Sequence, residues 1–224
     1  MCVFTCDHSS HVWTYFLKTK DKTLKVFKAF VTMIEALTGL RIKFFRSDRG
    51  GEFMSDEFTQ FLEERGITRE TSAPQTPQQN GVAERMNQTL LGGARAMVQH
   101  AGMTKGFWAE AIGVATHIIN RAPRKSLSWR TPYEILFGRV PDVSYLRMFG
   151  CRAWVYNDQG KKWDPKSKPM ILIRFETGSK AYRLWDPSTR SVVVSANVRF
   201  DENILPNKHW GQRGYYPGGK LRAY

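Results

Sequence analysis

The sequence is short of cysteine, of long apolar runs and of acid relative to base, and the first two shortages exclude whole classes of protein. Three cysteines among 224 residues do not make a disulfide framework, so a reducing compartment is the default. No apolar run approaches the roughly 18 residues that a membrane span needs, so we expect no membrane partner. The N-terminus lacks a basic stretch followed by an apolar one and is not a secretion signal.

The charge balance is strongly basic. There are 34 Lys and Arg residues against 20 Asp and Glu, a formal net charge of +14. Such an excess favours a polyanionic partner, although basic proteins of the ribosomal or mitochondrial kind share it. The 83 residues after Pro141 carry +8 and the part before them +6. We therefore expect phosphate contacts mainly in the second part of the chain.

Up to residue 141, apolar residues recur alternately at strand and helix spacing, which favours an α/β fold. The chain begins as a strand, which suggests that it starts inside a fold. Strands are predicted over 1–5 and 12–17 (a hairpin), 42–45 and 67–71. Helices are predicted over 24–37, 58–65, about 82–101, 107–120 and 131–137. The segment SAPQTPQQNG, residues 72–81, is predicted to be a loop because of its two prolines and its glycine.

From Phe149 the pattern changes to short β runs, over 152–156, 170–174, 181–185 and 192–194. These runs predict a small β-barrel appended to the α/β domain. The basic, glycine-rich tail 207–224 is predicted to be disordered. Five aromatic residues of the barrel allow two interpretations, nucleobase stacking or a hydrophobic core, and the core is the commoner use. They are Trp154, Tyr156, Trp163, Tyr182 and Trp185.

Two carboxylates stand out by position. Asp48 follows the apolar strand 42–45 in FRSDRGGEF, beside glycines, where a strand end can meet a ligand. Glu84 lies in the first turn of the long helix, away from its apolar stripe. An isolated Asp or Glu is usually a solvated surface group. The pair is more informative, because 35 residues separate the two and supply a helix, a strand and a glycine-flanked loop.

Seven motifs occur in a fixed order from about Cys2 to Glu202: SDRGGEF, TPQQNGVAER, FWAEA, NRAP, TPYE, LRMFGC and YRLWDP. In these motifs the chain resembles the integrase of copia-type LTR retrotransposons, a branch of the retroviral integrase superfamily with a D…D-35-E triad. The resemblance implies an α/β fold. An RNase H-like catalytic core, N-terminally truncated and lacking its first strand, is expected over 1–141. A small SH3-like β-barrel is expected over 145–206.

The resemblance also implies a chemistry, the joining of a DNA 3′-hydroxyl to a target phosphodiester. Three acids would hold two Mg²⁺ or Mn²⁺ ions, which stabilise the attacking and the leaving oxygen. Asp48 would be the second acid and Glu84 the third. Asn80, Asn87 and Gln88 would lie on the helix face that approaches DNA. Copia-type integrases often have a basic residue at the position of Gln88, so its phosphate contact is expected to be weaker.

The first acid of the triad should precede the hairpin, and the hairpin begins at Met1. Asp7 falls in the hairpin turn and is not expected to replace it. The family's upstream zinc module is also absent. We therefore expect impaired integration by this chain alone, and two alternatives stay open: a non-catalytic nucleic-acid-binding relic, and a fragment without function.

The resemblance implies partners as well as chemistry. DNA, as element ends and chromosomal target, is the expected partner, with RNA as a second candidate. The family also implies a homo-oligomer, and a chromosomal substrate implies the nucleus.

The cysteines and histidines near the N-terminus imitate a zinc site in composition. Cys2, Cys6, His8 and His11 lie within ten positions. Strand alternation instead places Cys2 and Cys6 on one face with Phe4 between them, as small core residues. Cys151 has no catalytic base nearby in sequence, and a buried thiol is the expected state.

Overall fold

The computed structural model describes residues 1–48, 50–71, 77–156, 163, 165–176 and 178–206, with the helical backbone alone for 77–80 and 82. The predicted tail 207–224 and residues 72–76 of the predicted loop lie outside these residues. The described chain forms two compact units. One comprises Met1–Thr89 with Ile118–Pro141, and the other comprises Leu90–His117 with the chain from Asp142 onward. The domain boundaries expected from the sequence stay a prediction.

The first unit contains the predicted alternation of strands and helices. Its strands are β1 (Cys2–Thr5), β2 (Val12–Tyr15), β3 (Phe44–Ser47) and β4 (Thr68–Thr71). The helices, in chain order and including those shared with the second unit, are α1 (Thr23–Thr38), α2 (Asp56–Arg65), α3 (Pro77–His100), α4 (Trp108–Ile119) and α5 (Pro132–Phe137).

Local chemistry sets the helix ends in this unit. The α1 and α2 helices end at Gly39 and Gly66, whose φ angles of 69° and 65° suit a residue without Cβ. At the start of α5, the Thr131 hydroxyl accepts a hydrogen bond from the Glu134 N–H at 3.0 Å. These three helices agree with the predicted ranges 24–37, 58–65 and 131–137 to within two residues at each end.

An aromatic cluster forms the core of the first unit. Phe27 and Phe58 are 1% and 0% exposed, and their rings stack at 5.0 Å between centroids. The Phe27 ring also lies 4.4 Å from that of Phe45 and 5.6 Å from that of Phe4. Both strand pairs thus contribute a ring to the core that α1 and α2 cover.

The strands of the first unit pair two by two. β1 and β2 form the predicted antiparallel hairpin, with Phe4 opposite Trp13. β3 and β4 are parallel, with Ser47 opposite Thr71. The carboxyl ends of two parallel strands lie at the same sheet edge, so the residue after β3, Asp48, stands at that edge.

The long helix starts earlier than the sequence analysis predicts. α3 begins at Pro77, so the last five residues of the predicted loop, 77–81, are helical. Proline is tolerated in the first helical turn because its missing N–H would have no intrahelical partner there. The four residues after Pro77 are polar or glycine, so they show no apolar spacing and were predicted as loop. A surface helix needs few apolar residues in its first turn.

The second unit contains a five-stranded antiparallel sheet of order β8-β7-β6-β5-β9. The strands are β5 (Arg152–Tyr156), β6 (Ser167–Phe175), β7 (Tyr182–Asp186), β8 (Ser191–Ser195) and β9 (Val198–Asp201). Four of them were predicted. The fifth, β9, was not predicted; it is short and pairs with β5, with Arg199 opposite Trp154. Its alternation is weak, because Val198, Phe200 and Asp201 are all half-buried.

Helix α4 and the second half of α3 pack with this sheet. The ring of Phe107, the residue before α4, lies 5.4 Å from that of Trp185 on β7. Gly113 on α4 leaves room for the guanidinium of Arg174, to which a Cβ there would approach within 2.6 Å. Arg174 and Arg183 both pair with Glu110 of α4, at 3.7 and 3.4 Å. Within the described part of the chain, no helix is both long and apolar enough to cross a membrane.

Candidate active site

Asp48 is exposed at the carboxyl edge of the parallel pair. Its Oδ1 accepts a hydrogen bond from the Gly50 N–H at 3.1 Å, which turns the chain immediately after the strand. Among the described residues, no cation forms an ion pair with this carboxylate. Its exposure leaves the carboxylate accessible to a cation from solvent.

Gly50 brings a second carboxylate to the same place. A Cβ on Gly50 would lie 3.0 Å from Asp48 Oδ1 and 3.0 Å from Glu52 Oε2, so both oxygens border the space that the glycine leaves open. The side chain of Glu52 is 22% exposed and its Oε1 lies 3.5 Å from Lys20 Nζ. In the sequence, Glu52 stands out only as part of the motif SDRGGEF. The glycines before it were the one available signal that two acids could approach each other.

Glu84 is exposed on α3, as its position away from the apolar stripe predicts. Gln88 is exposed one turn later, and Asn87 is half-buried, with its Oδ1 enclosed and without a hydrogen-bond partner among the described residues. Residues three and four apart share a helix face, so these three side chains form one polar face. Asn80 lies on the same helix by backbone, and its side chain is outside the described part.

The structure leaves the two predicted acids on separate elements. No hydrogen bond or ion pair joins Asp48 to Glu84 within the described residues. The described residues also contain no group of three or more His, Cys, Asp or Glu side chains that could hold a metal ion. Asp48 and Glu84 as metal ligands, and Asn80, Asn87 and Gln88 as DNA contacts, stay predictions.

Asp7 contacts a cation instead of the other acids. It lies in the hairpin turn, its side chain is 82% exposed, and its Oδ2 lies 3.6 Å from Arg46 on β3. Arg46 also donates to Glu70 on β4 at 2.8 Å. The hydrogen bond to Glu70 and the charge of Asp7 together raise the pKa of the Arg46 guanidinium.

The N-terminal cysteines and histidines have separate surroundings. Cys2 packs against the aromatic core, and burial raises its pKa to about 11. Cys6 lies beyond the end of β1, where its sulfur accepts from the Ser9 N–H at 3.5 Å, so the prediction that it shares the strand is wrong. His11 is buried, its ring 4.4 Å from Trp13. Cys151 is fully buried, as expected, and burial raises its pKa to about 12.

The five aromatic residues of the second unit divide between the two interpretations. Tyr182 and Trp185 pack against the buried core, which fits the core interpretation. Tyr156 is 47% exposed and Trp163 is 93% exposed. Trp154 is half-buried on the same strand face as Tyr156.

Two protein families match the chain. The integrase core domain matches residues 1–77, and the retroviral polymerase SH3-like domain matches residues 151–210. The chain is 41% identical over 202 residues to the retrovirus-related Pol polyprotein from transposon TNT 1-94 of Nicotiana tabacum, covering 89% of this chain and 15% of the relative. It is 32% identical over 206 residues to that from transposon RE1 of Arabidopsis thaliana, covering 91% and 14%. The chain thus spans about a seventh of the length of these relatives.

Solved integrase structures are also similar to the chain. The catalytic core domain of HTLV-2 integrase, in complex with magnesium, superposes with a TM-score of 0.47 at 22% identity, covering 60% of this chain and 82% of that one. The catalytic core domain of BIV integrase superposes with a TM-score of 0.46 at 26% identity, covering 61% and 84%.

The two family matches stand in the same order as the two units, an integrase core match first and an SH3-like match over the five-stranded sheet. They confirm the fold class expected from the motifs, and the plant relatives are themselves transposon Pol polyproteins. The chain belongs to the copia-type LTR retrotransposon integrases, with an integrase core domain followed by a retroviral polymerase SH3-like domain.

Proposed function

We propose that this chain takes part in DNA integration, the joining of a DNA 3′-hydroxyl to a target phosphodiester. The observation that carries the proposal is the exposed Asp48 carboxylate at the carboxyl edge of β3 and β4. It borders the open space at Gly50 together with the carboxylate of Glu52. Membership in the integrase family supports a role in DNA integration. We propose in addition that Asp48 and Glu84 are the second and third acids of the reaction.

The donor chemistry of the site fits a hard divalent cation. Carboxylate oxygens are the ligands that Mg²⁺ and Mn²⁺ prefer, and Gly50 leaves the space beside Asp48 Oδ1 free of a side chain. A bound cation would stabilise negative charge on the attacking and leaving oxygens. In the proposal Asp48 and Glu84 hold it, while Asn80, Asn87 and Gln88 orient the DNA backbone.

The described residues contain no group of three His, Cys, Asp or Glu side chains that could hold a metal ion, and the proposed reaction uses three acids. The proposal assigns the first acid to sequence outside this chain, which spans 15% of its tobacco relative. This chain alone is then impaired in strand transfer. Element ends and chromosomal DNA are the proposed substrates, with action in the nucleus and as a homo-oligomer.

The finding that no three-ligand group lies among the described residues also favours a second candidate function, a nucleic-acid-binding relic without catalysis. The two candidates differ in their need for metal. An integrase requires Mg²⁺ or Mn²⁺ for strand transfer, whereas a relic binds nucleic acid through phosphate neutralisation and is indifferent to divalent cations.

The test is Glu84→Gln in protein that carries this chain together with the sequence encoded upstream of it. Strand transfer of a labelled element end is expected to fall about a hundredfold or more, because metal stabilisation of the transition state contributes several kcal/mol. DNA binding is expected to stay within about twofold, since one metal ligand contributes little to phosphate neutralisation.

Glu63→Gln, an exposed acid on α2, is the matched control and should retain strand transfer. Equal loss of DNA binding and strand transfer in Glu84→Gln would contradict the metal-ligand role. Full strand transfer by Glu84→Gln would contradict it too.

A further inference from the structure

Strand β5 presents two different faces. Ala153 and Val155 are buried at 0% and 8% exposure and belong to the core of the second unit. Side chains alternate along a strand, so Trp154 and Tyr156 point to the opposite face. Neither of these rings packs against the buried core cluster, and Tyr156 is 47% exposed. The strand thus carries two aromatic side chains, two residues apart, outside the core.

Cross-strand pairing brings a cation beside this pair. Arg199 on β9 is directly opposite Trp154, and directly opposed residues share a sheet face. Arg199 is exposed, and no ion pair occupies its guanidinium among the described residues. On the other side of Trp154, β6 places Pro169, which adds an apolar surface without a charge.

Helix α4 covers the same sheet face elsewhere. On β7, Arg183 pairs with Glu110 of α4 at 3.4 Å, and the Trp185 ring lies 5.4 Å from that of Phe107, the residue before the helix. Trp185 is therefore used in packing, and its neighbouring cation is neutralised. Trp154, Tyr156 and Arg199, here called the β5–β9 face, keep an exposed ring and an unneutralised cation together.

This combination suits an unpaired nucleic-acid strand. Aromatic side chains on a sheet stack on exposed nucleobases, and a nearby Arg neutralises the strand's phosphates. In a duplex the base faces are covered by neighbouring bases, so stacking of this kind requires unpaired bases. The charge of +8 on the 83 residues after Pro141 favours a polyanion over an apolar peptide.

We propose that the β5–β9 face binds single-stranded nucleic acid, DNA or RNA, by stacking unpaired bases on Tyr156 and Trp154 beside Arg199. The inference is independent of integration, because it uses neither Asp48 nor a metal ion. It also assigns to Arg199 a phosphate contact that any polyanionic strand would make, and to the two rings a contact that only bases make.

The test compares three labelled strands of equal length by fluorescence anisotropy, without divalent metal: oligo-dT, oligo-rU and an abasic DNA strand with the same number of phosphates. Tyr156→Leu keeps an apolar side chain but removes the ring. It is expected to weaken oligo-dT or oligo-rU binding about fivefold to tenfold and to leave the abasic strand unchanged. Arg199→Gln is expected to weaken all strands by a similar factor, since it removes a phosphate contact.

Tyr156→Phe keeps the ring and should bind as the wild type does. Phe44→Leu removes another exposed strand aromatic, at 62% exposure, and is the matched control. If Tyr156→Leu weakens the binding of oligo-dT alone or of oligo-rU alone, the result supports stacking on the β5–β9 face and identifies the sugar that the face prefers. Wild-type binding by Tyr156→Leu, or equal loss on abasic and base-bearing strands, would overturn the proposal. Neither outcome depends on strand transfer, so failure here is distinguishable from failure of the proposed function.

Discussion

At the residue scale, Gly150 lies where any side chain would be strained by the backbone and would overlap a neighbour. Its φ is 81°, and a Cβ would lie 2.4 Å from the Cβ of Ala101, the residue that follows α3. A left-handed backbone costs a residue with Cβ roughly 1–2 kcal/mol, and the overlap adds about 1–3 kcal/mol. Gly150 belongs to the motif LRMFGC, so this motif has a packing reason as well as a family one.

We predict that Gly150→Ala lowers the free energy of unfolding by about 3 kcal/mol in urea titrations. Gly178→Ala is the matched control, since its φ is 82° but no atom lies within 4 Å of its Cβ position. It should lose only the backbone cost of about 1 kcal/mol. Equal losses in the two variants would contradict the packing explanation.

Asp186 is a buried acid with several donors. Burial raises its pKa, but hydrogen bonds from Lys168, Ser188 and Thr189 outweigh burial and hold the pKa below its ordinary 3.8. Ser188 Oγ and Thr189 Oγ1 donate at 2.7 Å each, and the Lys168 ammonium pairs with Oδ2. A carboxylate with a lowered folded pKa stabilises the fold above its unfolded pKa, and the stability is lost as pH falls through the folded pKa.

We therefore predict that the free energy of unfolding decreases as the pH is lowered from about 5 through 3.8 and below. Asp186→Asn should be less stable at neutral pH by about 2 kcal/mol, because it loses a charged hydrogen-bond acceptor. Its stability should also change less over the acid range. Asp21→Asn, an exposed acid, serves as control, and an unchanged acid dependence in Asp186→Asn would contradict the assignment.

At the element scale, one asparagine side chain replaces a strand partner. Asn120, which follows α4 and opens the motif NRAP, is 4% exposed. Its Oδ1 accepts from the Val12 N–H at 2.8 Å, and its Nδ2 donates to the Val12 carbonyl at 2.7 Å. The side-chain amide thus pairs with the first residue of β2 as a neighbouring strand would, and it joins two segments far apart in sequence.

We predict that Asn120→Ala lowers the free energy of unfolding by about 2–4 kcal/mol, since two buried backbone groups of Val12 lose their partners. Hydrogen exchange at the Val12 amide should also accelerate in native conditions. Asn197→Ala, an exposed asparagine between β8 and β9, is expected to change stability by less than about 0.5 kcal/mol. Unaltered exchange at Val12 would show that the amide pairing contributes little.

At the scale of the whole molecule, charge dominates the expected behaviour. The net charge is +14, and the basic excess continues through the SH3-like domain. Each phosphate that a protein neutralises contributes about −0.9 to the slope of log affinity against log salt on duplex DNA. The affinity for duplex DNA should therefore depend far more on ionic strength than on divalent metal.

We predict a slope of about −4 or steeper for duplex DNA between low and physiological salt, from anisotropy titrations in the presence of chelator. Replacing the chelator with Mg²⁺ at constant ionic strength should leave the affinity within about twofold. An affinity that is flat in salt, or one that appears only with Mg²⁺, would contradict phosphate neutralisation as the main source of binding.

The amino-acid sequence by itself determined most elements and the family. Apolar spacing located α1 and α2, and glycines located their ends, because helix periodicity and left-handed caps are local properties. The ordered motifs identified the integrase family, since each is a short string that needs no tertiary information. Short-range rules failed at Pro77–Gly81 and at β9, where a polar first turn and a weak alternation gave no local signal.

Only the tertiary structure decided which side chains meet. The approach of Glu52 to Asp48 depends on a turn at Gly50, and the pairing of Asn120 with Val12 joins residues 108 apart. The sequence also left open whether each aromatic residue of the second unit is buried or exposed. Trp185 packs against Phe107, the residue before α4, while Tyr156 stays exposed, because this segment covers one part of a sheet face and leaves another open. Long-range packing determines which aromatic residues are covered, and no local sequence pattern encodes it.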